Sequence, residues 1–308
     1  MPYDLIIIGS GAAGLSAAIY AGRYLMRVLI VEGEFGGETA KAGVIWNYPG
    51  NKGIDGYELM EIMRGQAKEV GAEIIDGKVT AIRKDREQFV VTVEEKEYVG
   101  KTTLLSMGAE RRHLGLPNEK ELTGRGVHYC VTCDGPVYTG KTIAMVGGGD
   151  ASVKGVNLAA QYAEKIYLVV REKEIMAEPI NYKEMLALGN KVEVLLETEV
   201  KEIVGTTHLE KIVLSKPFNG STDMVVHGLF VEIGAEPNTE LPKQLGVTMD
   251  RSGYIVVDPL MNTNIVGAYS AGDAVNIFGR FKQDITAAAT GAVAATSAYE
   301  YIKQQSLK

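Results

Sequence analysis

The stretch Tyr3-Asp4-Leu5-Ile6-Ile7-Ile8-Gly9-Ser10-Gly11-Ala12-Ala13-Gly14 decides the fold. Its first half is a short, mostly apolar run rich in isoleucine, which predicts a strand. Its second half sets three glycines in a tight turn, after which small residues recur at helical spacing. A β-branched run, Val28 to Val31, follows and ends in Glu32, close to the distance of about 20 residues at which such units place an acid for a ribose. Strand, glycine turn, helix, strand and acid read together as a dinucleotide-binding βαβ unit. Glycine lets the turn close and the backbone approach a pyrophosphate, and the N–H groups and dipole of a helix start favour its negative charge. Glu32 can accept a hydrogen bond from a ribose hydroxyl.

Outward from that unit, the pattern returns at Thr142 to Val146, followed by Gly147, Gly148, Gly149, Asp150, Ala151 and Ser152, with a second strand predicted over Ile166 to Val170. One dinucleotide needs only one such unit. Two imply one resident redox cofactor and one exchanging nucleotide, as in an electron-transfer flavoenzyme. Between the two fingerprints, Val79 to Val99 mixes charged and β-branched residues, as in antiparallel strands with one wet face. Leu114 to Arg125 is a polar connector containing Gly115, Pro117 and Gly124, where a domain boundary belongs. Residues 195 to 233 read as further short strands, and Gly234 to Asn238 as a turn leading back. Tyr269 to Asp273 closes an apolar segment ahead of a helix predicted over Ile285 to Ile302.

Composition sets the frame for these motifs. The chain has 308 residues, 46% hydrophobic and 23% charged, an ordinary globular mixture that excludes disorder and fibrous folds and suffices for two domains. A net charge of −7 argues against nucleic acid as a partner. The uncharged run Leu5 to Gly22 reaches the length of a membrane span, about 18 residues. Four glycines interrupt it and no basic segment precedes it, so the expectation is a cytoplasmic enzyme without a membrane partner. Trp46 and the tyrosines Tyr20, Tyr24, Tyr48 and Tyr138 read as packing residues, the tyrosines with wet hydroxyls.

The only two cysteines form Cys130-Val131-Thr132-Cys133, with Asp134 directly after. Thiols at this spacing can close a small disulfide ring, and when reduced one can stabilise the other's thiolate. A zinc site needs four ligands, and His113, His128, His208 and His227 show no paired spacing, so no metal is expected. Asp134 can be read as a turn or cap residue, or as an acid that protonates a departing thiolate. Both readings stay open on sequence alone.

In this order and over essentially the whole chain, these pieces resemble the low-molecular-weight thioredoxin reductases, the class II branch of the FAD-dependent pyridine nucleotide-disulfide oxidoreductases. The flavin fingerprint of that family matches Gly9, Gly11, Ala12, Ala13 and Gly14. Its paired glycines match Gly36 and Gly37, although its glutamine is here Glu38, and its Asn-aromatic-Pro-Gly turn matches Asn47 to Gly50. Gly108 and Ala109, with Leu114 to Pro117, match a later motif that is here Ser106-Met107-Gly108-Ala109. The terminal motif matches Thr263, Gly267 and Tyr269 to Asp273, and Gln283, followed by Asp284 and Ile285, falls where the family places a glutamine near the isoalloxazine.

The resemblance implies an α/β architecture of two Rossmann-like three-layer nucleotide-binding domains, the second inserted in the first, each with a small antiparallel β element. The FAD-binding domain would comprise 1–114 and 244–308, and an NAD(P)-binding-like domain carrying the cysteines 115–243, with hinges at about 113 to 118 and 243 to 247. FAD would be held by Gly9 to Gly14, Glu32, Gly36, Gly37, Glu38, Asn47, Gly108, Ala109, Gly272, Asp273, Gln283, Asp284 and Ile285. Cys133 would lie against the flavin, Cys130 would attack the partner disulfide and Asp134 would serve as the acid. Electrons would pass from a donor through FAD to the Cys130–Cys133 disulfide and on to a thioredoxin or glutaredoxin-like protein, in a homodimer.

One departure concerns the donor. The family strand after the second fingerprint ends in His-Arg-Arg-x-x-x-Arg, whose cations grip the 2′-phosphate of NADPH, whereas this chain has Val170, Arg171, Glu172 and Met176. One arginine of three remains. Losing two charge-assisted contacts of about 1.5–3 kcal/mol each costs NADPH a factor of hundreds or more. Gly147, Gly149, Asp150, Ala151 and Ser152 still suit a pyrophosphate, so NADH, with Glu172 on a ribose hydroxyl, is the expected donor. Reduced ferredoxin or a deazaflavin stands second and NADPH third. A dithiol oxidase and a non-catalytic flavin redox sensor are the alternatives to a reductase.

Overall fold

A computed structural model describes residues 1–279 and 281–307 of the chain. The chain divides into two compact units, the first formed by residues 1–110 and those from Glu236 onward, the second by Arg111–Ala235.

In the first unit the fingerprint strand Tyr3–Ile8 runs parallel to Val28–Glu32 on one side and to Lys96–Leu105 on the other. Glu73–Asp76 extends the parallel sheet beyond Val28–Glu32, and Ala268–Ser270 pairs with Lys96–Leu105. Leu5, Ile6, Ile7, Leu29, Ile30 and Leu105 are fully buried, as strands covered on both faces require, which is why the isoleucine run is continuous rather than alternating. The ten-residue strand Lys96–Leu105 changes partners at Gly100. Its first half pairs antiparallel with Gln88–Val93, which pairs in turn with Val79–Asp85. The wet-faced strands expected over Val79 to Val99 are therefore an extension of the nucleotide sheet.

The small residues of helix Ala12–Arg23 serve a close helix contact. A Cβ on Gly291, in the terminal helix Asp284–Gln305, would stand 2.0 Å from the carbonyl oxygen of Ala13. The beginning and the end of the chain thus meet backbone to backbone beside the first fingerprint.

The second unit repeats the plan. Five parallel strands lie in the order Val127–His128, Gly228–Val231, Thr142–Val146, Lys165–Val169, Val192–Leu195. A separate antiparallel sheet, Val200–Gly205, Leu209–Phe218 and Ser221–Val225, buries alternating residues such as Ile212 and Leu214. The strands expected over 195 to 233 therefore divide. Gly228–Val231, buried at every position, joins the parallel sheet beside the second fingerprint strand.

The crossings between the two compact units fall at 110/111 and 235/236, a few residues before the expected bounds of 114/115 and 243/244. Leu114, Gly115 and Leu116 are tied into the second unit by their amides, which donate to the buried Glu119 carboxylate. Helix Glu240–Leu245 belongs to the first unit, where Leu241 is buried and Gln244 Oε1 accepts from the Ile82 amide at 2.9 Å. Trp46 is not a core residue: it is 75% exposed and lies over Gly53, where a Cβ would meet its ring at 2.5 Å. The run Leu5 to Gly22 divides between a buried strand and a buried helix, and no described helix is long and apolar enough to cross a membrane.

Candidate functional site

The glycines of the first fingerprint sort by what a side chain would meet. At Gly9 a Cβ would lie 2.4 Å from the Ser106 carbonyl oxygen, and at Gly14 1.9 Å from that of Gly9, so the protein's own packing demands glycine at both. Gly11 differs. Its nearest neighbour would be the Gly36 carbonyl oxygen at 3.8 Å, and Gly108 has nothing within 4 Å. That open room, at the start of a helix whose cap Gly11 offers no side chain to its amides, is a cradle for a ligand.

Glu32 gives the same reading by another route. It is 4% exposed, its Oε1 accepts from Arg64 Nη2 at 2.8 Å, and its buried Oε2 has no partner. A buried carboxylate oxygen without a donor is costly, and a ribose hydroxyl would satisfy it. The residues fit a dinucleotide.

Residues from the far end of the chain join this cradle. Gly272 donates its amide to Thr290 Oγ1 at 3.0 Å, and a Cβ there would stand 3.1 Å from that of Ala13. The neighbouring Asp273 has its pKa raised by burial, against the opposing charge of Lys282. Gly36 and Gly37 begin the short helix Gly37–Ala40, where Glu38 pairs with Lys41 at 3.3 Å. Thr39 Oγ1 donates to Asp284 Oδ1, and Asn47 Nδ2 to Gln283 Oε1 at 2.8 Å. Gln283 caps the terminal helix, of which Asp284 and Ile285 are the first residues. Ala12 and Ala13 are buried at the helix start, and Ala109 opens strand Ala109–Arg111 directly after Gly108.

At the second fingerprint, Gly147 is again enforced from inside, since a Cβ would lie 2.2 Å from the Glu232 carbonyl oxygen, while Gly149 has nothing within 4 Å. The segment after the second strand folds back onto it. The Met176 amide donates to the Gly148 carbonyl at 2.7 Å, and the Glu178 amide to Asp150 Oδ1 at 2.9 Å. Burial opposes the charge of Asp150, but bonds from Asn181, Lys154 and that amide hold its pKa below the ordinary carboxylate value. Ser152 is fully buried and gives its hydroxyl to the Gly149 carbonyl, whereas Ala151 is exposed. The Glu172 carboxylate stands at the turn, its Oε2 3.3 Å from where a Gly148 Cβ would be. The one remaining arginine, Arg171, is bonded to that same carboxylate at 2.9 Å.

Cys130 and Cys133 are joined in a disulfide. Cys130 caps the short helix Val131–Asp134, its Sγ accepting from the Cys133 amide at 3.2 Å; it is half-buried and Cys133 exposed. The two readings of Asp134 now separate. Its side chain makes no capping bond to the following turn Gly135–Tyr138, and Oδ2 instead lies 3.1 Å from His128 Nδ1. His128 is a residue the sequence reading passed over, because a lone histidine two positions before a cysteine has no paired spacing. Its Nε2 lies 2.6 Å from the Tyr138 hydroxyl and its ring stacks on Phe230. Tyr138 therefore does not have the wet hydroxyl expected of it: it is 5% exposed, and its hydroxyl is spent on His128.

The model of the family described as "Pyridine nucleotide-disulphide oxidoreductase" matches residues 3–295. Thioredoxin reductase of Peptoclostridium acidaminophilum is 36% identical, over 98% of this chain and 97% of its own length. Among solved structures, Lactococcus lactis thioredoxin reductase in its FR conformation superposes with a TM-score of 0.92 at 32% identity, covering 98% of this chain and 99% of that one. A ferredoxin-flavin thioredoxin reductase from Clostridium acetobutylicum is 30% identical with complete coverage of both chains and a TM-score of 0.55.

Proposed function

This chain belongs to the pyridine nucleotide-disulphide oxidoreductase family and is a thioredoxin reductase-like flavoenzyme, and from that premise we propose the roles of its residues and its electron donor. Gly9 to Gly14, Glu32, Gly36, Gly37, Gly272, Asp273 and Gln283 hold FAD, which when bound supplies two-electron chemistry. Reduced Cys130 attacks the disulfide of a thioredoxin, Cys133 resolves the mixed disulfide, and Asp134 protonates the departing sulfur. The observation that carries this reading is the Cys130–Cys133 disulfide with the Asp134 carboxylate on His128 rather than capping the turn that follows it.

NADPH stands third among the donors. Where a 2′-phosphate would need cations, Glu172 presents a carboxylate to the second fingerprint and occupies the guanidinium of Arg171. NADH is the first reading, because Gly149 leaves the room a pyrophosphate needs and Glu172 can accept from a ribose hydroxyl. The second reading is reduced ferredoxin or a deazaflavin, favoured by the full-length likeness to a ferredoxin-flavin thioredoxin reductase. We place the enzyme in the cytoplasm as a homodimer, which sedimentation of the holoprotein tests.

The deciding experiment follows loss of the flavin visible band under anaerobic conditions with NADH, NADPH, reduced ferredoxin and a reduced deazaflavin compared side by side. NADH bleaching fastest supports the first reading and ferredoxin or deazaflavin the second. NADPH bleaching fastest overturns both.

A further inference from the structure

We propose that buried His128 is the positioning residue of the thiol-exchange site: anchored on Tyr138, it holds in one orientation the Asp134 carboxylate that passes a proton to the departing sulfur. The inference rests on the reading of Asp134 as the acid and deepens it.

The geometry carries the argument. His128 sits on the edge strand Val127–His128 and is 7% exposed, so water does not serve its ring nitrogens. Each ring nitrogen has one protein partner, Asp134 Oδ2 at Nδ1 and the Tyr138 hydroxyl at Nε2. The groups facing the ring from the elements packed on it are Asp134 from the cysteine helix, Tyr138 from the turn after it, and the non-titrating Phe230 from strand Gly228–Val231. Burial of the ring lowers the His128 pKa against the pull of Asp134, so the imidazole is neutral at neutral pH. Burial, with the charge of Asp134, pushes the Tyr138 hydroxyl up to about 12, which keeps it a donor. One tautomer then satisfies both contacts: Tyr138 O–H donates to Nε2, and Nδ1–H donates to the Asp134 carboxylate. The chain of bonds ends one residue from Cys133.

Exchange moves two electrons and two protons from the Cys130–Cys133 dithiol to the partner. The Cys130–Cys133 bond forms, the partner's S–S bond breaks, and its two sulfurs leave as thiols. A proton released by the dithiol reaches a departing sulfur through Asp134. A carboxylic acid is nearly all ionised at neutral pH, so its use in proton transfer depends on how the carboxylate is held while the proton passes. The Nδ1–H of the neutral ring, donated to Oδ2, holds it in one orientation.

The test uses full-length holoenzyme reduced photochemically, which bypasses the donor, and follows reduction of a stoichiometric amount of thioredoxin in single turnover across a pH series. His128→Asn keeps an N–H near the Nδ1 position but cannot titrate. His128→Phe packs on Phe230 but offers no nitrogen. We expect His128→Phe to slow exchange roughly tenfold or more. His128→Asn should retain more of the rate than His128→Phe at every pH. Tyr138→Phe, which deletes the hydroxyl that fixes the tautomer of the ring, should also slow exchange, by less than His128→Phe, and covers the case in which a His128 variant fails to fold. A merely structural histidine predicts the reverse order, with His128→Phe better than His128→Asn. That order, or variant profiles superimposable on the parent's while Asp134→Asn is slow, overturns the inference. A silent Asp134→Asn removes the reading of Asp134 as acid, and the inference with it.

Discussion

Asn47 donates its side-chain amide to the Gln283 side chain over 2.8 Å, joining a turn near the start of the chain to the cap of its last helix. The bond ties the Asn47 to Gly50 turn to a helix whose own start is closed by Thr286 Oγ1, which accepts from the Gln283 amide at 3.2 Å. Both residues belong to the motifs that resemble flavin-holding segments, and they contact each other directly.

Gln283→Ala removes the Asn47 bond and leaves the Thr286 bond in place. One neutral hydrogen bond contributes about 0.5–1.5 kcal/mol, so flavin retention should weaken by a few-fold to about tenfold while the helix stays formed. Fluorescence of FAD released during repeated ultrafiltration measures this. Retention equal to the parent's would mean that the contact does not support the flavin cradle.

Glu32 offers a larger effect. Glu32→Ala removes both the acceptor proposed for the ribose and the partner of Nη2 of Arg64, a side chain whose Nε already lacks one. Hydrogen bonds to a charged group contribute about 1.5–3 kcal/mol, which predicts an FAD affinity lower by roughly tenfold to a hundredfold. Glu32→Gln, which keeps an acceptor oxygen but not the charge, should fall between. Flavin titration of the apoprotein gives both values, and equal affinities for all three proteins would remove Glu32 from the site.

How much of this was legible in the sequence depends on how local the signal is. The strands Tyr3–Ile8 and Thr142–Val146 and the turns after them announce themselves, because buried parallel strands are continuous apolar runs and the turns require glycine within a few residues. The crossing points lie a few residues before the expected bounds because Leu241 packs into the core of the first unit and Glu119 gathers the Leu114 to Leu116 amides, and neither leaves a mark in composition. Trp46 looks like core and lies on the surface. His128 was invisible because its meaning comes from Asp134 and Tyr138 folding back over it, a relation that no spacing rule encodes.

The donor reading predicts what restores NADPH use. Glu172→Arg removes the carboxylate facing Gly148 and releases Arg171, and Met176→Arg adds a cation on a segment whose backbone is already bonded to that turn. Each charge-assisted contact regained contributes about 1.5–3 kcal/mol, so the double variant should gain at least roughly a hundredfold in NADPH-driven flavin reduction relative to NADH. Anaerobic stopped-flow bleaching measures the ratio. An unchanged ratio would mean that nicotinamide nucleotides do not use this turn, and would turn attention to ferredoxin or a deazaflavin.

Asp273 links the flavin cradle to stability against pH. Burial raises its pKa above the ordinary carboxylate value of 3.8, Lys282 opposing with its charge, and burial likewise lowers the pKa of Lys282 despite the attraction of Asp273. Both partners are moved toward neutrality, so desolvation outweighs their mutual attraction. The sign follows from linkage. A carboxyl that binds its proton more tightly when folded contributes stability that is full below the unfolded value and is lost as pH rises through the folded one. Asp273→Asn cannot ionise and escapes that loss. The flavin-free variant should therefore be more stable than the flavin-free parent at neutral pH, and the difference should shrink as pH falls toward 3.8. Urea denaturation of both apoproteins at several pH values measures it. If Asp273 also serves the flavin, the same substitution weakens FAD binding at neutral pH, so a single change raises the stability of the empty protein and lowers its affinity for the cofactor. A variant less stable than the parent at neutral pH would show instead that Lys282 holds the carboxylate charged, and the gain would be sought with Lys282→Met.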